Sequence, residues 1–221
     1  MIPADEVGGD YYDVLPVEDG CWFGIGDVAG HGLVAGLAML QAQSAIKALI
    51  QQNPASSPRE VLSGVNRLLY ENVKVRLAQD EHMTMSLIRY RTDGAITIAG
   101  AHQQIIICRA ATGKCELHDA TGTWLGLVAN IDAHTPERTF QLAEGDLLVL
   151  FTDGITEAMS NANEQFGIDR LVREIEQKHA GSTREIRDHV FERIAQWGKR
   201  PDDDTTLLVI RHVGIARAVA A

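Results

Sequence analysis

The sequence predicts an α+β protein, an α-β-β-α sandwich of two mainly antiparallel sheets flanked by helix pairs. Three observations lead there. Strand-length apolar runs follow one another through short turns in the middle of the chain. Helical periodicity appears in two separate pairs. No repeat, low-complexity linker or compositional break divides the 221 residues, a length that suits one domain.

The elements follow in order. Cys21-Trp22-Phe23-Gly24-Ile25 is an apolar run that ends at Gly26-Asp27, the pattern of a buried strand. Leu33, Leu37 and Leu40 then recur at helical spacing, predicting a helix over 33–51 with those leucines on its apolar face. A second helix opens at Ser57-Pro58-Arg59-Glu60, where Ser57 caps, Pro58 suits the first helical position and Glu60 completes a capping box. Strands over 84–90 and 95–99 flank Thr92-Asp93-Gly94, a hairpin signal. Further strands are predicted at Ile105-Ile106-Ile107 and over 147–151. Ile168, Leu171, Val172 and Ile175 mark a third helix. A second capping box, Ser182 to Glu185, opens a fourth, with Ile186, Val190, Ile194 and Trp197 on one face. A strand over 207–210 closes the pattern.

Composition limits the function. Twenty basic against thirty acidic residues leave a net charge of -10, which argues against nucleic acid as the partner. A phosphorylated substrate stays compatible, because a bound divalent cation inverts the local potential. The three cysteines, Cys21, Cys108 and Cys115, show no metal-ligand spacing and are expected to be reduced thiols in a cytoplasmic protein. No apolar run of about 18 residues is evident, so no membrane span is expected. A glycine-rich motif follows Met1-Ile2-Pro3 almost at once. The expectation is therefore a domain over 1–213, cut from a longer regulated protein, with a peripheral tail over 214–221.

Four segments place aspartate where a strand begins or ends: Gly8-Gly9-Asp10, Gly26-Asp27, Thr152-Asp153-Gly154 and Asp202-Asp203-Asp204-Thr205. Each alone is most simply a turn or a solvated loop. Together, carboxylates at strand ends can converge on one rim, where their repulsion calls for a cation. An all-oxygen ligand set suits Mg2+ or Mn2+.

These segments carry a resemblance. Val7-Gly8-Gly9-Asp10-Tyr11-Tyr12-Asp13, Gly26-Asp27-Val28-Ala29-Gly30-His31-Gly32, Phe151-Thr152-Asp153-Gly154-Ile155-Thr156-Glu157-Ala158 and Asp203-Asp204-Thr205-Thr206 occur in the order and at distances that resemble the SpoIIE-type branch of the PPM phosphatases, bacterial relatives of protein phosphatase 2C. Gly145-Asp146 and Phe166-Gly167 are similar to the family as well. The resemblance implies two Mn2+ or Mg2+ ions. Asp27 would bridge them, with the Val28 carbonyl as a backbone ligand; Asp10 would complete one site, and Asp153 and Asp203 the other. Asp202 or Asp204 is the off-by-one alternative to Asp203. It further implies hydrolysis of phosphoserine or phosphothreonine by a metal-activated water, with no protein nucleophile. The substrate it implies is a phosphorylated STAS-domain protein, an anti-sigma-factor antagonist. A regulatory sensor domain and a homodimer are implied as partners. The rival readings are a catalytically silent or gated signalling module of the same fold, and a hydrolase of small phosphate esters.

Several positions stand apart. His31 is expected to be a cap or packing residue of its turn, with proton donation to the leaving group as the alternative. Glu157 is expected in the first turn of a helix. His102, in Ala99-Gly100-Ala101-His102-Gln103, departs from the family's Ala-Gly-His-x-Pro and is expected to affect a hairpin beside the site. No arginine precedes Arg59, so an N-terminal phosphate anchor like that of the eukaryotic relatives is missing.

Overall fold

The computed structural model of the protein describes residues 9–30, 32–77, 80–198 and 203–214. His31, Asp202 and tail residues 215–221 lie outside the described residues. In chain order the elements are β1 (Asp10–Val17), β2 (Gly20–Val28), α1 (Leu33–Gln52), α2 (Pro58–Leu69), β3 (Met83–Arg91), β4 (Ala95–Ala101), β5 (Ile105–Cys108) and β6 (Cys115–His118). There follow β7 (Arg138–Gln141), β8 (Leu147–Phe151), the one-turn α3 (Asp153–Thr156), α4 (Ile168–Lys178), α5 (Thr183–Trp197) and β9 (Leu207–Arg211).

The strands form a five-stranded sheet, β1-β2-β3-β4-β7, and a four-stranded sheet, β6-β5-β8-β9. Every pairing in both is antiparallel. Side chains alternate between the two faces of a strand, and the core follows that alternation. In β8, Leu148 and Leu150 join the layer between the sheets, while Leu147, Val149 and Phe151 face α4 and α5. In β5, Ile105 and Ile107 point between the sheets, and Ile106 and Cys108 toward the helices. In β3, Met83, Met85 and Leu87 pack under α1 and α2, and Ile88 turns inward. The predicted four-layer sandwich is the observed one.

Both predicted capping boxes form. Ser57 accepts from the Glu60 amide and Glu60 accepts from the Ser57 amide; Ser182 and Glu185 repeat the exchange. Each box satisfies two amides that a helix start leaves without partners.

The structure departs from the sequence expectations at several elements. Helix α1 forms where predicted, but Leu33, Leu37 and Leu40 are 70, 50 and 51% exposed. The face on the sheet is Ala35, Ala38, Ala42, Ile46 and Ile50. Small side chains let the helix sit close to the strands, and packing overrides the larger leucine stripe. The same helix is also long and apolar enough to cross a membrane by length and composition, which the sequence reading had not recognised. Here that composition serves a helix packed against a sheet. Strand β1 starts at Asp10, where the sequence placed a strand end, and its run to Val17 was not assigned. It is an edge strand whose buried Tyr11 alternates with half-exposed Tyr12, and whose Pro16 suits an edge. A π-helical stretch, Tyr70–Arg76, extends α2 and was likewise not foreseen.

The assignment of α1's buried face is directly testable. Ile46→Ala should lower stability by about 2–5 kcal/mol. Leu40→Ala should change it by no more than about 0.5 kcal/mol. Equal losses in urea denaturation would show that the leucine stripe is the packed face.

Candidate metal centre

The candidate site lies at one end of the sandwich, where strands of both sheets finish. Asp10 and Asp27 face each other as register partners on β1 and β2. Asp153 opens α3 directly after β8, and Asp203 and Asp204 lead into β9. Strands β8 and β9 are paired up to Phe151 and Leu207, which brings Asp153 beside Asp203 and Asp204. Gly154 is required at this junction, since a Cβ there would lie 2.1 Å from the Asp204 carbonyl oxygen.

Asp10 ties the two sheets together. Its carboxylate accepts from the hydroxyls of Thr206 at 2.6 Å and Thr152 at 2.9 Å, both from the small sheet's side. The Thr206 amide donates in turn to the Thr152 hydroxyl at 3.0 Å, and the Thr152 amide to the Thr206 carbonyl at 3.1 Å. The Asp10 amide points at the buried Asp204 carboxylate, 3.4 Å away. Thr152 and Thr206 therefore have a positioning role that the sequence reading missed, although both lie inside the quoted motifs.

Burial and crowding raise these acids together. Burial pushes Asp10 up to about 6; the two threonine hydroxyls oppose the rise, and Asp204 and Asp203 add to it. Asp27 is pushed up to about 7, by burial first and then by Asp10, Asp153, Asp203 and Asp204. Asp153 is raised by burial and by Asp203. Asp10, Asp27, Asp153 and Asp203 thus feel one another, and Asp204 joins them. Its burial beside Asp10 sets it apart from the exposed Asp203, whose carboxylate accepts from the Asp204 amide at 2.8 Å.

The donor set fits a hard divalent cation. Around Gly9, a Cβ would meet the Asp27 Oδ1 at 2.8 Å, the Val28 carbonyl oxygen at 3.0 Å and the Gly30 carbonyl oxygen at 3.6 Å. The missing side chain leaves a niche walled by oxygens. Carboxylates and carbonyls in that arrangement match Mg2+ or Mn2+, and neutralising their repulsion is what such an ion does. Among the described residues, no three Asp, Glu, His or Cys side chains stand close enough to count as a formed metal shell.

A cleft of about 530 Å3 opens beside Asp27 and Asp153, lined also by Thr84, His102, Thr121 and the half-exposed Trp124. Thr84 bonds the His102 Nδ1 at 2.9 Å and the Asp27 carbonyl oxygen at 3.3 Å. Burial pushes the His102 imidazole down to about 4, so it is neutral near pH 7. Trp124 stacks on His82 with ring centroids 5.0 Å apart. His102 thus borders the cleft itself. A larger groove of about 950 Å3 runs along β1 and the end of α1, away from these four aspartates, and has no comparable chemistry. Glu157 is exposed and ends α3 rather than opening a helix; Asp153 holds the first-turn position. Asp146 and its Gly145 brace a turn instead: Asp146 accepts from the Ala110 and Ala143 amides and from Arg109.

The raised carboxyls set a pH dependence. An unfolded aspartate ionises near ~3.9, well below folded Asp27 or Asp10. Across the interval the folded state holds more protons, so this contribution to stability falls as pH rises and levels off above the folded values. In EDTA, Asp27→Asn should gain thermal stability relative to the parent between about pH 5 and about pH 8. Parallel melting profiles would refute the crowding.

Comparisons with known proteins bear on the fold and the family. The family model described as "Stage II sporulation protein E (SpoIIE)" matches residues 18–213. "Phosphoserine phosphatase RsbU" of Bacillus subtilis (strain 168) is 27% identical over 215 residues, which cover 95% of this chain and 61% of that protein. The chain thus spans less than two thirds of that curated relative. Among solved structures, the SiaA-PP2C domain of Pseudomonas aeruginosa superposes with a TM-score of 0.81 at 23% identity, covering 95% of this chain and 83% of that one. RsbX in complex with magnesium superposes at 0.65 with 13% identity, covering 95% of this chain and 90% of that one. The family model extends from just after β1 to just past β9, taking in β2 to β9 and the aspartates at 27, 153 and 203, and the chain belongs to the SpoIIE family.

Proposed function

We propose that this chain is a metal-dependent protein serine/threonine phosphatase. The observation that carries the reading is the crowding of acids from both sheets around Asp27, which Asp10, Asp153 and Asp203 all push upward, with Asp27 and Asp153 on the wall of an open cleft. Family membership and the phosphoserine phosphatase among its relatives support it. So does the magnesium complex of a structural neighbour.

Asp27 and the Val28 carbonyl would hold ions on the β2 side, Asp10 on the β1 side, and Asp153 with Asp203 on the small-sheet side. Two divalent cations in such a site supply an activated water and positive charge for the phosphoryl oxygens. The chain's own residues do the positioning. Thr152 and Thr206 fix the Asp10 carboxylate, and Thr84 holds His102 against the cleft wall. Neutral His102 gives the cleft a polar wall beside Asp27 and Asp153. His31, outside the described residues, is the alternative proton donor to the leaving group. The substrate is a phosphoserine or phosphothreonine on a partner protein, and a STAS-domain anti-sigma-factor antagonist is the class the family resemblance implies. A cytoplasmic setting suits such a partner.

Phosphate release from a phosphoserine STAS-domain protein should require Mn2+ or Mg2+ and stop with EDTA. Asp153→Asn should slow it by on the order of a hundredfold or more, since even groups behind metal ligands cost about that. Near-normal release by the Asp153 variant, or release in EDTA, would sink the assignment.

One observation favours gating on top of catalysis. Helix α1 is capped by Gly32, a few residues after β2 ends with Asp27 and Val28, and presents Leu33, Leu37 and Leu40 to solvent. A second copy or a regulatory domain seated on that stripe would bear on the end of β2. For the second copy, release per molecule should depend on protein concentration, and Leu37→Ser should remove the dependence without lowering Tm. A constant rate per molecule in the parent protein excludes gating by self-association.

A further inference from the structure

Two of the three cysteines occupy a position that the proposed phosphatase chemistry does not use. Cys108 ends β5 and Cys115 begins β6, and the two are direct partners in the antiparallel hairpin. The next pair toward the turn, Arg109 and Lys114, is joined by an amide-to-carbonyl bond of 2.9 Å. Hydrogen-bonded and non-hydrogen-bonded pairs alternate along such a ladder, so Cys108 and Cys115 form a non-hydrogen-bonded pair. Pairs of that type hold their Cα atoms about 4.5 Å apart with side chains on one face, inside the ~4.4–6.8 Å span of a disulfide. Both side chains belong to the layer that faces α4 and α5.

The surroundings hold the pair in place. The Cys115 amide donates to Glu176 at 3.0 Å, and Lys114 binds the same carboxylate at 2.9 Å, fastening β6 to α4. Gly113, at φ 67, closes the turn through its amide to the Arg109 carbonyl, and Asp146 grips Arg109 and Ala110. Cys108 is buried, Cys115 half-buried on the edge strand, and both are free thiols. The two thiols act on one another, with Cys108 lowered and Cys115 raised.

We propose that Cys108 and Cys115 are a dithiol–disulfide site, closed by a hydroperoxide and reopened by a thiol reductant. One thiolate attacks the peroxide; the O–O bond breaks, the first water or alcohol leaves, and a sulfenic acid forms. The second sulfur displaces the remaining hydroxyl as water, and the S–S bond forms. The two thiols lose two electrons, which reduce the peroxide. The site lies at the far end of the small sheet from the aspartates, because Cys108 pairs with Leu147 while Asp153 follows Phe151. Closing it would staple the hairpin without touching the cleft.

The test is hydrogen peroxide treatment of the whole chain, followed by maleimide counting, intact mass and peptide mapping. The expected result is a fall from three reactive thiols to one, a mass loss of two hydrogens, and a 108–115 crosslink reversed by dithiothreitol. Cys21→Ser should still form the crosslink, and Cys115→Ser should not. Sulfinic acid at Cys115, or intermolecular dimers without the 108–115 crosslink, would overturn the proposal. The peptide map of the parent protein decides between these outcomes even if a variant fails to fold.

Discussion

The rest of the site depends on how Asp10 is held. Its carboxylate belongs to the large sheet, and the hydroxyls of Thr152 and Thr206 that hold it come from the ends of the small one. A buried carboxylate without such donors would be forced toward its neutral form. With them, the acid can stay charged beside Asp27 and Asp204. The same hydrogen bonds tie the two sheets together at this end, so the packing of the sheets and the placing of Asp10 share the same contacts.

The cost of that arrangement is electrostatic. Asp27 is driven toward neutrality by burial and by four neighbouring acids, and Asp153 follows for similar reasons. A sheet selected for stability alone would not keep such a group. The conflict is local and specific, which is what a ligand-binding function leaves behind in a fold. The opposite end of the small sheet shows no such conflict. There, Asp146 is satisfied by two amides and an arginine, which hold it below the ordinary carboxylate range against its burial.

Placement of the cleft follows from the layers. Strand ends of both sheets supply the acids, and the segment between β6 and β7 supplies Thr121 and Trp124 as a wall. Helix α1 starts immediately beside this end and carries an exposed leucine stripe away from it. The acids and the cleft wall thus lie together at one end of the sandwich, although they come from well-separated parts of the chain.

Much of this was legible in the residues alone. Capping boxes, the hairpin glycine and the period-two strands are local signals, read correctly because they act within a few residues. The motif aspartates could be named because strand ends were recognisable. The choice between the α1 faces was not legible, since leucines and alanines both recur at helical spacing and only the approaching sheet decides between them. The length of β1 was not legible beyond Asp10, because an edge strand needs only one apolar face. The threonine clasp on Asp10 joins residues 142 and 196 positions apart. Local sequence determined the elements and the type of ligand atom. Tertiary structure decided which carboxylates meet and how strongly they repel, because that depends on the distances between strand ends on two different sheets.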